Sequence, residues 1–288
     1  MKQSYLTNGL LVLLIIALYW FVNYEPIESN TNKTLSSLLL DHVHTIKIKR
    51  INRDNIVLNK IEGQWLITQP IQANANPTRV KLILALLSTV PHSQFRPEPT
   101  HSLQQFDLEP SKINVHINDQ VFNFGDIEPL NHYRYIQHND LIHLVDDTVA
   151  PLLNATASSF IDNRLLSDAR HITKLSLPAI LAQDGDSKEI LLELQDGHWM
   201  SSNSKLSSDE LMILIDAWQH AYAMQVLPVT DTIIGQSITV EFNDQTHIEL
   251  LVQFDTRSMS IINRTKKLKY QFPLANKHQF FPIEDIEK

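Results

Sequence analysis

Thirteen histidines and thirty-two carboxylates are the groups with which this chain could do chemistry, and their spacing limits what that chemistry is. The tightest grouping is Asp41-His42-Val43-His44. Two histidines two apart on a strand would project from one face beside a carboxylate. Zinc needs three or four such ligands, and the chain has no H-E-x-x-H or H-x-x-x-H to complete the set. His42 and His44 therefore read as a surface pair. Ser202 to Lys205 formally fits S-x-x-K, but the companion S-D-N and K-T-G motifs are missing and the stretch is a polar loop. Asp146-Asp147 and the Asp184/Asp186 pair could do acid–base work. Adjacent acids in turns are commonly solvated, however, and the first pair precedes a short helix whose dipole favours negative charge. Arg134 between Tyr133 and Tyr135 is the most site-like feature, yet on a strand the tyrosines share one face and the arginine takes the other. Arg264 to Lys269 is the one basic cluster, suited to a charged hairpin turn or to anionic headgroups.

Composition narrows the field further. Cysteine is absent, which removes disulfides, thiolate nucleophiles and cysteine-based metal sites. Glycine occurs 6 times where average usage would give roughly twenty, and neither G-x-x-x-x-G-K-[ST] nor G-x-G-x-x-G is present. A net charge of −8 argues against nucleic acid as a partner. No catalytic, cofactor-binding or metal-ligating residue is assigned, no cofactor is expected, and the chain reads as a non-enzyme.

The elements around these residues begin with an apolar run, Leu10 to Val22, extended by Leu6 and Tyr24. Residues 6–24 have about the length of a spanning helix. Bulky residues at the exit oppose a cleaved signal peptide, and Tyr19, Trp20 and Tyr24 suit an interfacial belt. The expectation is a single-pass anchor over residues 1–24, its N-terminus cytoplasmic because Lys2 precedes it and Glu25 and Glu28 follow. In a bacterium this places the chain at the inner membrane, held through residues 6–24, with its folded part periplasmic. A tether over residues 25–40 follows.

Beyond it, one order of elements occurs twice. "HTIKIKRI", "NIVLNKI" and "QWLITQ" alternate as strands, with a turn at Glu62-Gly63 just before Trp65. A helix follows from the N-cap Asn76 and Pro77, with Val80, Ile83, Leu84 and Leu87 as its stripe. Four strands come next, with a tight turn at Asn118-Asp119. In the second half, "ITKLSL" and "EILLEL" lead to a turn at Asp196-Gly197 before Trp199. A helix whose Ser207 and Glu210 fit a capping box comes next, and then four more strands. Trp65 to Pro97 spans 32 positions and Trp199 to Pro228 spans 29. The pattern predicts an α+β fold: after the transmembrane helix, two tandem repeats of antiparallel sheet on a helix, residues 41–166 and 167–288. Each Trp then caps the core of its own repeat; a sugar-stacking Trp would more often occur in one copy only.

Short motifs occur in a telling order: Trp65 with Pro70, then "FDLEP" (Phe106, Leu108, Pro110), "FG" (Phe124, Gly125), "YRYI" (Tyr133, Tyr135) and "RLL" (Arg164, Leu165, Leu166). In these the chain resembles a bacterial domain-of-unknown-function family of membrane-anchored envelope proteins often encoded beside gliding-motility-type ABC transporter subunits. The resemblance covers residues 45–166, with Asp107 standing where the family pattern favours Gly. It implies no established activity or cofactor. What it implies is a non-enzymatic accessory or scaffold subunit of a transport or export assembly, with a transporter or other envelope protein as partner. The alternative is an envelope enzyme or ligand carrier acting on lipid or cell-wall polymer; a pocket between the repeats would favour it.

Overall fold

Turn chemistry sets where this chain reverses. Glu62 and Gly63 take φ of 49° and 83°, and Asp196 and Gly197 take 49° and 80°. Two consecutive left-handed residues give the turn whose twist matches that of paired strands, and glycine adopts the second position without strain. The computed structural model describes residues 12–15, 18–19, 34–98, 102–167, 169–178, 189–202, 206–230 and 233–282.

In the first part of the chain, the strands are β1 (Thr45–Arg50), β2 (Arg53–Ile61), β3 (Gln64–Gln69) and β4 (Ala73–Asn74). Helix α1 (Pro77–Leu84) follows, then β5 (Ser93–Phe95), β6 (Ile113–Ile117), β7 (Gln120–Ile127), β8 (Arg134–His138), β9 (Leu141–Val145) and the single turn α2 (Ala150–Leu153). The second part holds β10 (Ile172–Leu177), β11 (Ile190–Gln195), β12 (His198–Ser201) and α3 (Ser208–Gln219). It ends with β13 (Gln225–Pro228), β14 (Gln236–Phe242), β15 (His247–Phe254), β16 (Ser258–Asn263), β17 (Leu268–Pro273) and α4 (Lys277–Phe280).

The strands form two antiparallel sheets. One is ordered β4-β3-β2-β1-β6-β7-β8-β9-β5, the other β12-β11-β10-β14-β15-β16-β17-β13. Apart from β4, the two orders correspond strand for strand. In each, a three-strand meander leads into a helix, the helix returns to a far-edge strand, and four further strands fill the middle. Alternation fixes which face is buried. Ile46 and Ile48 of β1 lie opposite Ile117 and Val115 of β6, all fully buried. In the second sheet Leu175 of β10 lies between Leu192 of β11 and Val240 of β14, again without exposure. The buried side chains of both sheets form one continuous core, from Leu35 to Phe281.

Both main helices start where the sequence requires. The Asn76 side chain accepts from the Arg79 N–H at 3.1 Å with Pro77 at the first position. Ser207 and Glu210 form the reciprocal capping box. The first helix is shorter than its apolar pattern implies, because after Leu84 the backbone tightens into a 3-10 turn, Ala85–Ser88, that still buries Leu86 and Leu87. Helix α3 buries Leu211, Leu214, Ile215 and Trp218.

Two expectations are corrected. The chain is mostly β, not α+β: strand accounts for 43% of the structure and helix for 22%. Apolar periodicity marked the helices but overstated their share, since a 12-residue and an 8-residue helix each face a sheet of eight or nine strands. The single-pass transmembrane helix is also overturned, and with it the inner-membrane placement. Among the described residues, no helix is long and apolar enough to cross a membrane. Within residues 6–24, the described residues are helical at 12–15 and 18–19. The other residues of the expected anchor, and 25–33 of the tether, lie outside the described residues.

Candidate functional site

The groups singled out for chemistry are dispersed by the fold and mostly tied into its framework. His42 ends a 3-10 turn and His44 precedes β1, so the pair does not share a strand face. Asn118 binds both, donating to the His42 carbonyl at 2.9 Å and accepting from the His44 N–H at 3.0 Å. Among the described residues no group of three or more His, Asp or Glu could hold a metal ion. Asp184, Asp186 and residues 203–205 lie outside the described residues. Residues 264–267 form the turn between β16 and β17.

The two neighbouring aspartates part company. Asp146 lies 3.1 Å from the His92 ring, which stacks on Tyr133 at 4.0 Å. Asp147 takes a two-pronged bond from Arg134, at 2.6 and 2.7 Å, while the same guanidinium donates to the Gly125 carbonyl at 2.5 Å. Such a fork is the strongest form of carboxylate–arginine pairing, and both partners here are largely shielded from water. It locks the ends of β7, β8 and β9 together. A Cβ on Gly125 would collide with the Phe106 carbonyl, and Phe106 packs between Phe95 and Tyr135, at 5.6 and 4.9 Å. Asp107 takes φ of 57°, the left-handed region that glycine enters most easily, and pairs with Lys112 at 2.6 Å.

The groups that remain converge on the seam between the sheets. Residues 160–165 form a strap there. On one side, Asn76 donates to the Phe160 carbonyl at 2.6 Å and Asp162 to that of Asn74 at 2.8 Å. On the other, Leu165 donates to Ala221 at 3.0 Å, and Ala223 to Asn163 at 2.8 Å. The strap thus joins the β4 edge of the first sheet to the segment entering β13 at the edge of the second. Arg164 folds back onto Asp162 at 2.6 Å. Beside this pair Tyr270 is buried and its hydroxyl is pushed up to about 12, first by burial and then by the charge of Asp162. Lys266 is exposed as a whole residue, yet burial around its amine is the first cause lowering its pKa; Arg170 adds to this and Asp162 opposes it.

Alongside the strap the sheets diverge into a crevice of about 740 Å³. One wall is Ile61, Leu66 and the β3–β4 connection with Pro70 and Ile71; the other is Pro228, Val229 and the turn Thr265–Leu268. A smaller cavity of about 60 Å³, lined by Asp162, Arg164, Lys266 and Tyr270, adjoins it through the shared residues Asn74, Lys266 and Leu268. A third, of about 160 Å³, opens on the far side of the strap between Arg79, Ser158, Asn163 and Gln225. Sequence reasoning missed this site. Its walls come from Ile61, Pro228 and Lys266, far apart in the chain, and only "RLL" pointed to the strap.

Residues 65–232 match the family described as Domain of unknown function (DUF4340). The chain belongs to the DUF4340 family. The match begins at Trp65 on β3 and ends just beyond β13, so it crosses the strap and takes in strands of both sheets (β3 to β9 and β10 to β13), not the first alone as the resemblance over 45–166 implied. The DUF4340 span supplies the β3–β4 wall, the strap and the β13 wall of the crevice. The lysine turn at 265–267 falls outside it. No curated protein and no solved structure matches the chain.

Proposed function

We propose that this DUF4340 chain is a non-enzymatic binding subunit that holds its ligand in the crevice between the two sheets. One observation carries the reading. A space of about 740 Å³ lies where two sheets of corresponding strand order diverge, within the range of about 300–1,000 Å³ usual for ligand pockets. Its walls are mainly aliphatic, and the Asp162 carboxylate in the small adjoining cavity is engaged by Arg164, which fits holding better than proton transfer. The test compares small molecules retained by the purified full chain with those retained by Val229→Trp and by Ala73→Phe, two substitutions that fill the crevice from opposite walls. Melting curves would establish that both variants fold. A species bound by the unaltered chain and lost from both variants is the expected result; identical sets in all three would end the reading.

A second reading, an accessory subunit of a transport or export assembly, draws on the family resemblance and on a separate surface. Leu194, Trp199 and Met212, together with His198 and Asp216, line a groove of mixed polarity, about 350 Å³, between α3 and the β11–β12 hairpin. Met212 and the neighbouring Ile213 are 62% and 68% exposed, leaving apolar surface beside the groove for a partner to cover. Met212→Glu is expected to remove a stoichiometric protein partner in a mild pull-down; an unchanged partner set counts against this surface.

A further inference from the structure

The charges lining the crevice run against the charge of the whole molecule. The chain carries −8, yet the only ionisable side chains among the described lining residues of the 740 Å³ space are Lys266 and Lys267. Neither makes an ion pair among the described residues, because the nearby Asp162 is already engaged by Arg164. The rest of the described lining is aliphatic, amide or hydroxyl: Ile61, Leu66, Ile71 and Val229 set the character of the walls, with Gln72 and Asn74 near the strap and Thr68 and Thr265 as the hydroxyls. No aromatic ring is among the described lining residues, so none of these would stack on a base or a sugar.

We infer that the crevice takes a single-chain anionic amphiphile, its alkyl chain between the β3–β4 connection and β13 and its carboxylate or phosphate head on Lys266 and Lys267. This names the ligand class of the binding site proposed above and rests on that reading. An unpaired cation at the edge of an apolar cleft is stabilised by an arriving anion, because the counter-charge offsets the cost of removing the amine from water. The lowered pKa of the Lys266 amine, caused first by burial, marks the same deficit. An extended acidic peptide fits less well. Strand addition needs free edge groups; at the β4 edge Asn74 and the adjoining Asn76 are bonded to the strap, and the outer edge of β13 is only four residues ending in Pro228, which has no N–H to donate.

The test is displacement of the fluorescent fatty acid cis-parinarate from the full chain in detergent-free buffer, with dodecanoate, dodecyl phosphate, dodecanol, inorganic phosphate and an acidic decapeptide as competitors. Dodecanoate and dodecyl phosphate are expected to displace it with one site per chain, and dodecanol about tenfold less well, as expected for the loss of a charge-assisted contact. The paired change Lys266→Glu and Lys267→Glu should weaken dodecanoate by about tenfold or more and leave dodecanol unchanged. The backbone N–H of Lys266, which donates to the Asn263 side chain at 2.9 Å, is untouched by that change. Equal binding of dodecanol and dodecanoate, or indifference of dodecanoate to the charge reversal, would overturn the inference. So would displacement by inorganic phosphate alone, which would make this a free-anion site, or stronger displacement by the peptide. If crevice-filling variants lose a natural ligand while no alkyl anion binds, the ligand class fails and the binding reading stands.

Discussion

The two sheets share an order of strands and differ in how their interiors are held. The first sheet buries polar groups between its strands. His138 stacks on Phe122 at 4.3 Å and meets the Val121 carbonyl at 2.9 Å, His143 is buried beside it, and Arg134 and Asp147 clamp the ends of β7, β8 and β9. The second sheet buries the smaller polar side chains Ser176, Ser260 and Asn263, and its apolar packing is built around one large side chain. Trp218 is fully buried, donates to the Phe280 carbonyl at 2.8 Å, and meets the Phe280 and Phe281 rings edge-on at 5.3 and 6.0 Å. Strand β16, equivalent in order to β8, is buried on both faces from Met259 to Asn263. One topology therefore tolerates two kinds of interior. Strand order follows from turns and alternation, while the filling needs matched volume, and the first sheet holds the buried His143 Nδ1 without a hydrogen-bond partner among the described residues.

The comparison can be tested at its heaviest point first. Trp218→Ala should cost about 3–5 kcal/mol, the usual range for removing a buried Trp. Trp65→Ala, at a half-buried position against the core, should cost clearly less. Chemical denaturation of both variants reads the difference, and equal losses would mean that the second sheet is not organised around Trp218. Next in size, Asp147→Asn leaves the Arg134 guanidinium without its counter-charge in a shielded setting and should cost about 2 kcal/mol. The paired change Arg134→Met with Asp147→Leu should recover most of that loss; no recovery would show that the fork does more than hold strand ends.

Smaller effects sharpen the contrast between the helices. Ser207→Ala and Asn76→Ala should each cost about 1 kcal/mol, as lost N-caps do. Ser207 should be the larger, because its Oγ both accepts from the Glu210 N–H at 3.4 Å and donates to the Glu210 carboxylate at 2.7 Å, whereas the Asn76 side chain makes one cap bond. The last prediction concerns acid. Burial, followed by the charge of His138, lowers the pKa of His143 below 6.5, and burial with Lys49 and Lys47 does the same for His116. An unfolded chain binds these protons more readily than the folded one. The stability they contribute is therefore complete above about pH 6.5 and lost as pH falls towards the depressed folded values. Hydrogen exchange at pH 7 and pH 5 should show protection lost mainly in the first sheet, and His143→Leu should blunt it. Uniform loss over both sheets would remove this distinction.

Much of the framework was legible because its causes are local. Asn76 with Pro77, Ser207 with Glu210, and the acidic-Gly turns before Trp65 and Trp199 act within a few residues, and each appears where the sequence puts it. The alternation in "TIKIKR" and "QWLITQ" likewise gives β1 and β3. Other features needed the folded chain. The apolar run near the N-terminus had the length for a spanning helix, yet the described structure contains none. Asp146 and Asp147 looked like a pair awaiting a helix dipole, but strand pairing brought His92 to one and Arg134 to the other.

The sequence by itself determined strands, turns and helix starts, and its composition excluded cysteine chemistry and glycine-loop phosphate binding, because these depend on residue type and short spacing. Tertiary structure alone decided the strap, the crevice beside it and the unpaired lysines on its rim. Ile61, Asp162, Pro228 and Lys266 meet only after both sheets have formed and been joined. No local periodicity encodes that meeting, since it is fixed by which sheet edges face each other across residues 160–165.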